Sequence, residues 1–449
     1  MAKITEFEQD IIDMIDQKKY KALKETISAF NPYDLAILLE NFQERSILLL
    51  FRLLPKDLAA DTFVEMDTER QRALIDSFSD KELREVIDEL YIDDMVDIVE
   101  EMPANVVKRI LKNSTEITRK TINHILNYPQ DSAGSIMTTE FVGLRSNMTI
   151  VDAINKIRKI GLDSETIDTC YVTDNVNRLI GYITLRTIIL SEDSNTIEEL
   201  METNVISVNT FEDQEEVANM FGKYDLTVLP VVDNDNRMVG IVTIDDAWDV
   251  LEKETTEDIE LMAAITPSDA PYLKKTTFDI WKSRMPWLLI LMISATFTGM
   301  IISRFENALQ TYVVLTAYIP MLMDTGGNSG SQSSATIIRG LSLHEVEFID
   351  IFKVLWKESK VAILSGLTLA IVNFVKLMLF DKVGFSIALI VSSTLLITVI
   401  IAKMVGSTLP MLAKKIGFDP AVMASPFITT IVDAISLIFY FVITGIVLG

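Results

Sequence analysis

The sequence predicts a multidomain membrane protein: an all-α superhelical amino-terminal part, an α/β tandem repeat, a connecting helix and a five-helix transmembrane part. Three observations carry that reading. Hydrophobic residues make up 49% of the 449-residue chain, yet 23% of its residues are charged. The charge is divided unevenly: residues 1–283 hold 55 acids and 29 bases, while residues 284–449 hold nine acids and eleven bases. Long uncharged runs fill the second part. The length suits about three domains, and the expected divisions are 1–130, 131–250, 251–283 and 284–449. A net charge of −24 argues against a nucleic-acid partner, because phosphate binding needs a basic surface. One cysteine, Cys170, forms no intramolecular disulfide, and two distant histidines, His124 and His344, build no zinc site. The opening MAKITEFEQD shows no apolar run of a secretory signal.

The first 130 residues read as repeated helices. Asn31-Pro32, Leu54-Pro55, Ser79-Asp80 and Met102-Pro103 recur every 23 or 25 residues, each opening an amphipathic run. Pro or Asp in a first turn is a helix start signal, and the repetition predicts a stacked superhelix. Its acids are densest in Tyr91-Ile-Asp93-Asp94-Met-Val-Asp97-Ile-Val-Glu100, where Asp93, Asp97 and Glu100 share a helical face.

From about residue 132 the pattern alternates between strands and helices, and it repeats. Cys170-Tyr-Val-Thr-Asp-Asn-Val-Asn-Arg-Leu-Ile-Gly181-Tyr-Ile-Thr184 matches Leu229-Pro-Val-Val-Asp-Asn-Asp-Asn-Arg-Met-Val-Gly240-Ile-Val-Thr243. This duplication resembles a tandem pair of cystathionine-beta-synthase (CBS) domains. The resemblance implies an adenine-nucleotide site closed by a Gly-x-x-Thr/Ser-x-x-Asp run. The second repeat keeps that run as Gly240, Thr243 and Asp246, while the first has Thr187 where the Asp belongs. ATP is thus an expected ligand of the second repeat, with Tyr171, Arg186 and Asp246 as its contacts.

An acidic connecting helix follows, Thr243 to Glu260, in which Asp246, Asp249 and the Glu252 to Glu257 group can share faces. Like charges so spaced oppose the helix unless cations lie between them. The acids of the superhelix and of the connector therefore read together as surfaces bridged by divalent ions.

Five spans are expected. Met285–Ser303 and Val383–Ala402 are uncharged and long enough for a hydrocarbon core of about 30 Å. Val361–Phe380 holds only Lys376, and Pro420–Gly449 only Asp433. Asn307–Ile338 holds only Asp324, but as one helix it would reach about 48 Å and so must tilt, break or project. With the amino terminus inside, eleven Lys and Arg fall on the cytoplasmic side, Lys403 among them, against Arg304, Lys376 and Lys382 outside. The carboxyl terminus is then extracellular.

Two spans are unusual for lipid-facing helices. Asp324-Thr-Gly-Gly-Asn328-Ser-Gly-Ser-Gln332-Ser-Ser-Ala-Thr336 puts small and amide residues at membrane depth, either as close-packing glue or as oxygen donors. Ser425, Thr429, Asp433 and Ser436 form one hydrophilic stripe. A deep carboxylate is costly unless it faces a pore or a cation. Oxygen donors without thiol or imidazole suit a hard cation.

Over nearly the whole chain this order of parts resembles the MgtE family of magnesium channels. The strongest points are Pro320-Met-Leu-Met-Asp-Thr-Gly-Gly-Asn328, Asp419-Pro420-Ala and Pro426-Phe-Ile-Thr-Thr430-Ile-Val-Asp433. The resemblance implies a plasma-membrane homodimer conducting Mg²⁺ along its axis, with Asp433 at the selectivity site and Asn328 nearby. Thr429, Ser425 and Gln332 complete the expected pore lining. It further implies regulatory Mg²⁺ held by Asp93, Asp97, Asp225, Asp246, Asp249, Glu254, Glu257 and Asp258, and by Asp419 at the inner mouth. Two rivals stand beside this reading: a membrane-anchored nucleotide-sensing regulator, and a secondary transporter of Co²⁺ or Mn²⁺. No enzyme is supported, since neither histidine neighbours a nucleophile and no phosphate-cradling Gly-rich loop appears.

Overall fold

Pro and Asx/Ser caps decide where the first helices begin. The computed structural model describes residues 2–268, 272–305, 310, 312–423 and 425–448. It divides into two compact units, Met1–Leu251 and Glu252–Gly449. The first unit opens with helices α1 (Ala2–Asp16), α2 (Tyr20–Ile27), α3 (Pro32–Glu40), α4 (Glu44–Phe51) and α5 (Lys56–Val64). These are followed by α6 (Thr68–Ser77), α7 (Asp80–Ile87), α8 (Ile92–Glu101), α9 (Ala104–Asn113) and α10 (Glu116–Ile125). The four recurrent start signals open α3, α5, α7 and α9, so each repeat of 23 or 25 residues is a pair of helices rather than one run. Asn31 accepts a hydrogen bond from Tyr33 N with Pro32 in the first turn, and Ser79 and Glu82 form a capping box. Consecutive odd helices pack together, α3 on α5, α5 on α7 and α7 on α9, while α4 packs on α6 and α8 on α10. Phe51, Phe63, Ile75 and Leu83 are buried between the layers. Each such side chain contributes about 1.5–3 kcal/mol of burial.

Two three-stranded sheets follow. β1 (Phe141–Arg145), α11 (Ile150–Ile160), β2 (Thr166–Thr173), β3 (Leu179–Thr184), α12 (Leu185–Leu190) and α13 (Ile197–Leu200) build the first repeat. β4 (Val208–Asn209), α14 (Gln214–Tyr224), β5 (Val228–Val232), β6 (Met238–Thr243) and α15 (Ile244–Met262) build the second. In each sheet the first pair is parallel and the second antiparallel. The matching turns hold Asn177 and Asn236 at φ of 67° and 62°, the left-handed region that Asn tolerates. Asp174 and Asp233 accept backbone N–H bonds within them. α15 starts at Ile244, directly after β6, so the connecting helix grows out of the second repeat without a break.

The second unit holds five long helices: α16 (Thr277–Arg304), α17 (Ile319–Ser342), α18 (Ile351–Leu379), α19 (Phe385–Lys415) and α20 (Ser425–Leu448). Among the described residues four of these, α16, α18, α19 and α20, are long and apolar enough to cross a membrane. α17 has the length, about 36 Å at 1.5 Å per residue, but its Gly, Ser and amide residues leave it less apolar than its neighbours. The 32-residue stretch breaks rather than tilts: a 3₁₀ turn, Val313–Tyr318, precedes Pro320 in the first turn of α17. Residues 306–309 and 311 of that stretch lie outside the described residues. α17 is packed by α19 and α20, and α18 packs on α19.

Lys403 corrects an expectation. Counted above as a cytoplasmic charge at the end of a span, it is instead buried well inside α19, which continues to Lys415.

Candidate functional site

The two faces of α17 separate its two sequence readings. Gly326, Gly327 and Gly330 are buried, and a Cβ on any of them would collide with α19 or α20: Thr398 and Val432 at Gly326, Thr429 at Gly327, Ile428 at Gly330. These small residues are packing glue. Asp324, Asn328, Gln332 and Thr336, four apart, are exposed along the other face. A carboxylate and two amides on a helix at membrane depth would not face hydrocarbon; they would require water or another protein surface.

Asp433 sits on α20 beside a cavity of about 430 Å³ lined by Leu291, Ala295, Thr298, Met323, Pro426, Thr429 and Thr430. Its Oδ1 is buried and has no hydrogen-bond partner among the described residues. Asp324 is near enough to repel it. Ser436, on the predicted stripe, is buried with an unpartnered hydroxyl. Thr429 donates its hydroxyl to the Pro426 carbonyl and packs its methyl on Gly327. The Ser425 side chain lies outside the described residues. Asp419 is exposed, and its carboxylate accepts from Ala421 N at the start of the 3₁₀ turn Pro420–Met423.

The first unit brings together acids that are far apart in sequence. Asp93 and Asp94 occupy the first turn of α8, Asp245 and Asp246 the first turn of α15, and Glu165 directly precedes β2. Burial pushes the Asp93 carboxyl well above the ordinary aspartate range, and repulsion from Asp246, Asp94 and Glu165 adds to it. Burial, then Asp246, Asp97 and Asp61, raise Asp94 to about 7. Burial, then Asp246 and Asp245, raise Glu165 to about 8. Burial lifts Asp246 to about 6 although Thr243 donates a 2.6 Å hydrogen bond to it. Burial, then Asp249, raise Glu65.

Asp93, Asp97, Asp246 and Asp249 therefore belong to one neighbourhood. Sequence reasoning missed Glu165, Asp94, Asp61, Glu65 and Glu140 as members. Glu140 accepts from Ile92 N and so caps α8 from the first repeat. Asp225 is exposed at the left-handed C-cap of α14, an element that supplies none of these carboxylates. Glu254, Glu257 and Asp258 lie on the later turns of α15, half-buried or exposed. Among the described residues no three His, Cys, Asp or Glu side chains converge as ligands of one bare ion. The donor set is all oxygen, and one Glu165 oxygen is buried without a partner among the described residues. That suits a small hard cation that keeps part of its water shell and bridges carboxylates through it.

The predicted nucleotide residues diverge. Tyr171 is 2% exposed and donates its hydroxyl to the Val228 carbonyl, so it belongs to the core joining the two repeats. Arg186 is exposed on α12. In the second repeat Thr243 orients Asp246, while in the first Thr184 and Thr187 pair their hydroxyls at 3.0 Å.

Comparison with known proteins places this geometry in context. Residues 319–443 match a family model described as a divalent cation transporter, MgtE. Residues 30–131 match the MgtE intracellular N domain, and 133–192 and 197–247 match CBS domains. The chain is 35% identical over 430 residues to the magnesium transporter MgtE of Thermus thermophilus, covering 94% of each. It is 32% identical over 431 residues to that of Bacillus subtilis, covering 96% and 95%. A solved structure of the cytosolic domain of the Mg²⁺ channel MgtE in complex with ATP is 34% identical. It covers 54% of this chain and 99% of its own, with a TM-score of 0.52. The soluble part of a magnesium transporter, 28% identical, covers 56% and 99% with a TM-score of 0.53.

Proposed function

The chain belongs to the MgtE family of divalent cation transporters, and from that premise we propose that it is a Mg²⁺-selective channel importing magnesium across the plasma membrane, closed by cytosolic Mg²⁺. The observation that carries the pore is Asp433: a membrane-depth carboxylate with an orphaned oxygen, facing a cavity. A second copy supplies what the exposed Asp324–Asn328–Gln332 face requires, so the channel is a homodimer whose α17 and α20 helices line the path. Five spans, α16 to α20, carry the chain from a cytoplasmic amino terminus to an extracellular carboxyl terminus. The working parts follow the divisions 1–130, 131–250, 251–283 and 284–449.

Selection rests on hydration. Mg²⁺ dehydrates reluctantly, so one carboxylate per chain with amide, hydroxyl and carbonyl oxygens from Asn328, Gln332, Thr429 and Ser425 holds it by its waters. Regulation rests on repulsion. With Mg²⁺ between them, Asp93, Asp97, Asp246, Asp249 and Glu165 are bridged; without it their mutual repulsion frees α15. By the family resemblance, Asp225, Glu254, Glu257, Asp258 and Asp419 hold further regulatory ions. α15 is one helix from Ile244 to Met262, and its Leu261 packs with Ile338 of α17 and Ala421, so its end bears on the pore helix. ATP binds the second repeat through Asp246.

The test is Mg²⁺ uptake by a Mg²⁺-auxotrophic cell carrying the wild type or Asp433→Ala, at low and high internal Mg²⁺. The channel predicts uptake that stops at high internal Mg²⁺ and is lost in the variant. Unchanged uptake in the variant would favour the membrane-anchored regulator, and stoichiometric coupling to a second ion would favour the secondary transporter.

A further inference from the structure

Behind the polar face of α17 a single hydroxyl joins two charged side chains. Lys403 of α19 is 6% exposed, and its Nζ donates to Ser333 Oγ at 3.3 Å. Ser333, itself 3% exposed on the buried face of α17, donates the same hydroxyl to Glu358 Oε2 of α18 at 2.6 Å. Glu358 and Lys403 form no direct ion pair among the described residues, so one serine hydroxyl joins the cation and the anion. Charges in a bundle interior are costly and persist where they are paired and have a task.

We propose that Glu358, Ser333 and Lys403 are positioning residues that fix the register of α17, and through it the selectivity of the pore. The inference rests on the reading of α17 as a pore-lining helix. The need for such a pin follows from the packing. The middle of the α17 face against α19 and α20 carries Gly326, Gly327 and Gly330, between Leu322 on one side and Ile337 and Leu341 on the other, and the small residues permit close approach. A slip of one residue along that face would rotate Asp324, Asn328 and Gln332 by about 100° away from their side of the helix. Ser333 lies three residues after Gly330, and Lys403 three before Gly406, whose backbone abuts Gly330. The ionic contact thus sits one turn from the Gly330–Gly406 backbone approach and ties α17 to both α18 and α19 there. Register-setting is the best attested use of a buried polar group.

The experiment uses the full chain in proteoliposomes, with Mg²⁺ and Ca²⁺ uptake measured alongside the melting temperature. Ser333→Ala removes the shared hydroxyl with little change in volume. It is expected to leave folded, conducting protein whose preference for Mg²⁺ over Ca²⁺ falls about threefold to tenfold, the range of couplings carried through packed elements. Ser333→Thr, which keeps the hydroxyl, restores the preference. A lowered melting temperature with an unchanged Mg²⁺/Ca²⁺ ratio would reduce the contact to glue and overturn the inference. If Ser333→Ala does not fold, the double variant Glu358→Gln with Lys403→Met carries the same expectation. An unchanged ratio there, or loss of folding in both variants, overturns it equally. Absence of Mg²⁺ uptake by the wild type would overturn the channel reading and this inference with it, a failure visible before any substitution is made.

Discussion

Gly330 of α17 and Gly406 of α19 meet backbone to backbone: a methyl group added to Gly406 would overlap the Gly330 carbonyl. Helices that close leave no room for repacking, because the obstacle is main chain rather than a flexible side chain. Gly406→Ala is therefore expected to destabilise the second unit by about 1–3 kcal/mol, the usual cost of overpacking. It should lower the melting temperature and Mg²⁺ uptake together. Gly299→Ala is the control, since a Cβ there meets nothing within 4 Å. Equal melting temperatures for the two variants would contradict the contact.

Tyr171→Phe separates a core role from a ligand role. The Tyr171 hydroxyl donates to the Val228 carbonyl at 3.2 Å, inside the joint between the repeats. Its loss leaves a buried carbonyl short of a donor and costs about 1 kcal/mol. The melting temperature should fall while ATP affinity, measured by calorimetry, stays at the wild-type value. A large loss of affinity with no loss of stability would return Tyr171 to the nucleotide site.

The parts most legible in the sequence were those written in local signals. Pro32, Pro55, Ser79-Asp80 and Pro103 mark α3, α5, α7 and α9 because caps act within one turn. The matched Asp174-Asn-Val-Asn177 and Asp233-Asn-Asp-Asn236 turns reveal the tandem repeat for the same reason. Asp93 and Asp246 stood out because each lies in a run of acids. Glu140 and Glu165 did not, since Glu140 stands alone and Glu165 sits at the edge of a strand with acids only at Asp163 and Asp168, outside any helical acidic run; only the packing of α8 against the first repeat joins them to the cluster. Lys403 was hidden differently. A lysine near the end of an apolar run reads as a snorkelling side chain, and only α19 continuing twelve residues further makes it an interior charge.

The acidic neighbourhood has a pH signature. A carboxyl whose folded pKa is raised favours the folded state below its unfolded value, and that contribution is lost as pH rises through the folded pKa. For Glu165 the window runs from about 4.5 to about 8, and for Asp94 from about 3.8 to about 7. In chelator the melting temperature of the full chain should thus fall between pH 5 and pH 8. Mg²⁺ should raise it more at pH 8 than at pH 5, because the ion replaces the lost protons. Glu165→Gln removes one ionisation and is expected to add about 2 kcal/mol at pH 8 in chelator, while reducing the stabilisation by Mg²⁺. A pH-independent melting temperature in chelator would refute the coupling.

Neutralising the cluster should hold the channel open. Asp93 is buried in the first turn of α8, Asp97 follows one turn later, and Asp249 of α15 faces Glu65. In Asp93→Asn/Asp97→Asn/Asp249→Asn the repulsion that opposes closure is weaker, but so is the cation binding that rewards it. Binding dominates the response to Mg²⁺, because only a ligand with different affinities for the two states shifts their populations. The triple variant should therefore take up Mg²⁺ at high internal Mg²⁺ about tenfold faster than the wild type, and its melting temperature in chelator should exceed the wild-type value. Normal shut-off in that variant would sink the feedback mechanism. Normal shut-off together with an unchanged melting temperature would also remove the acidic neighbourhood from any part in gating.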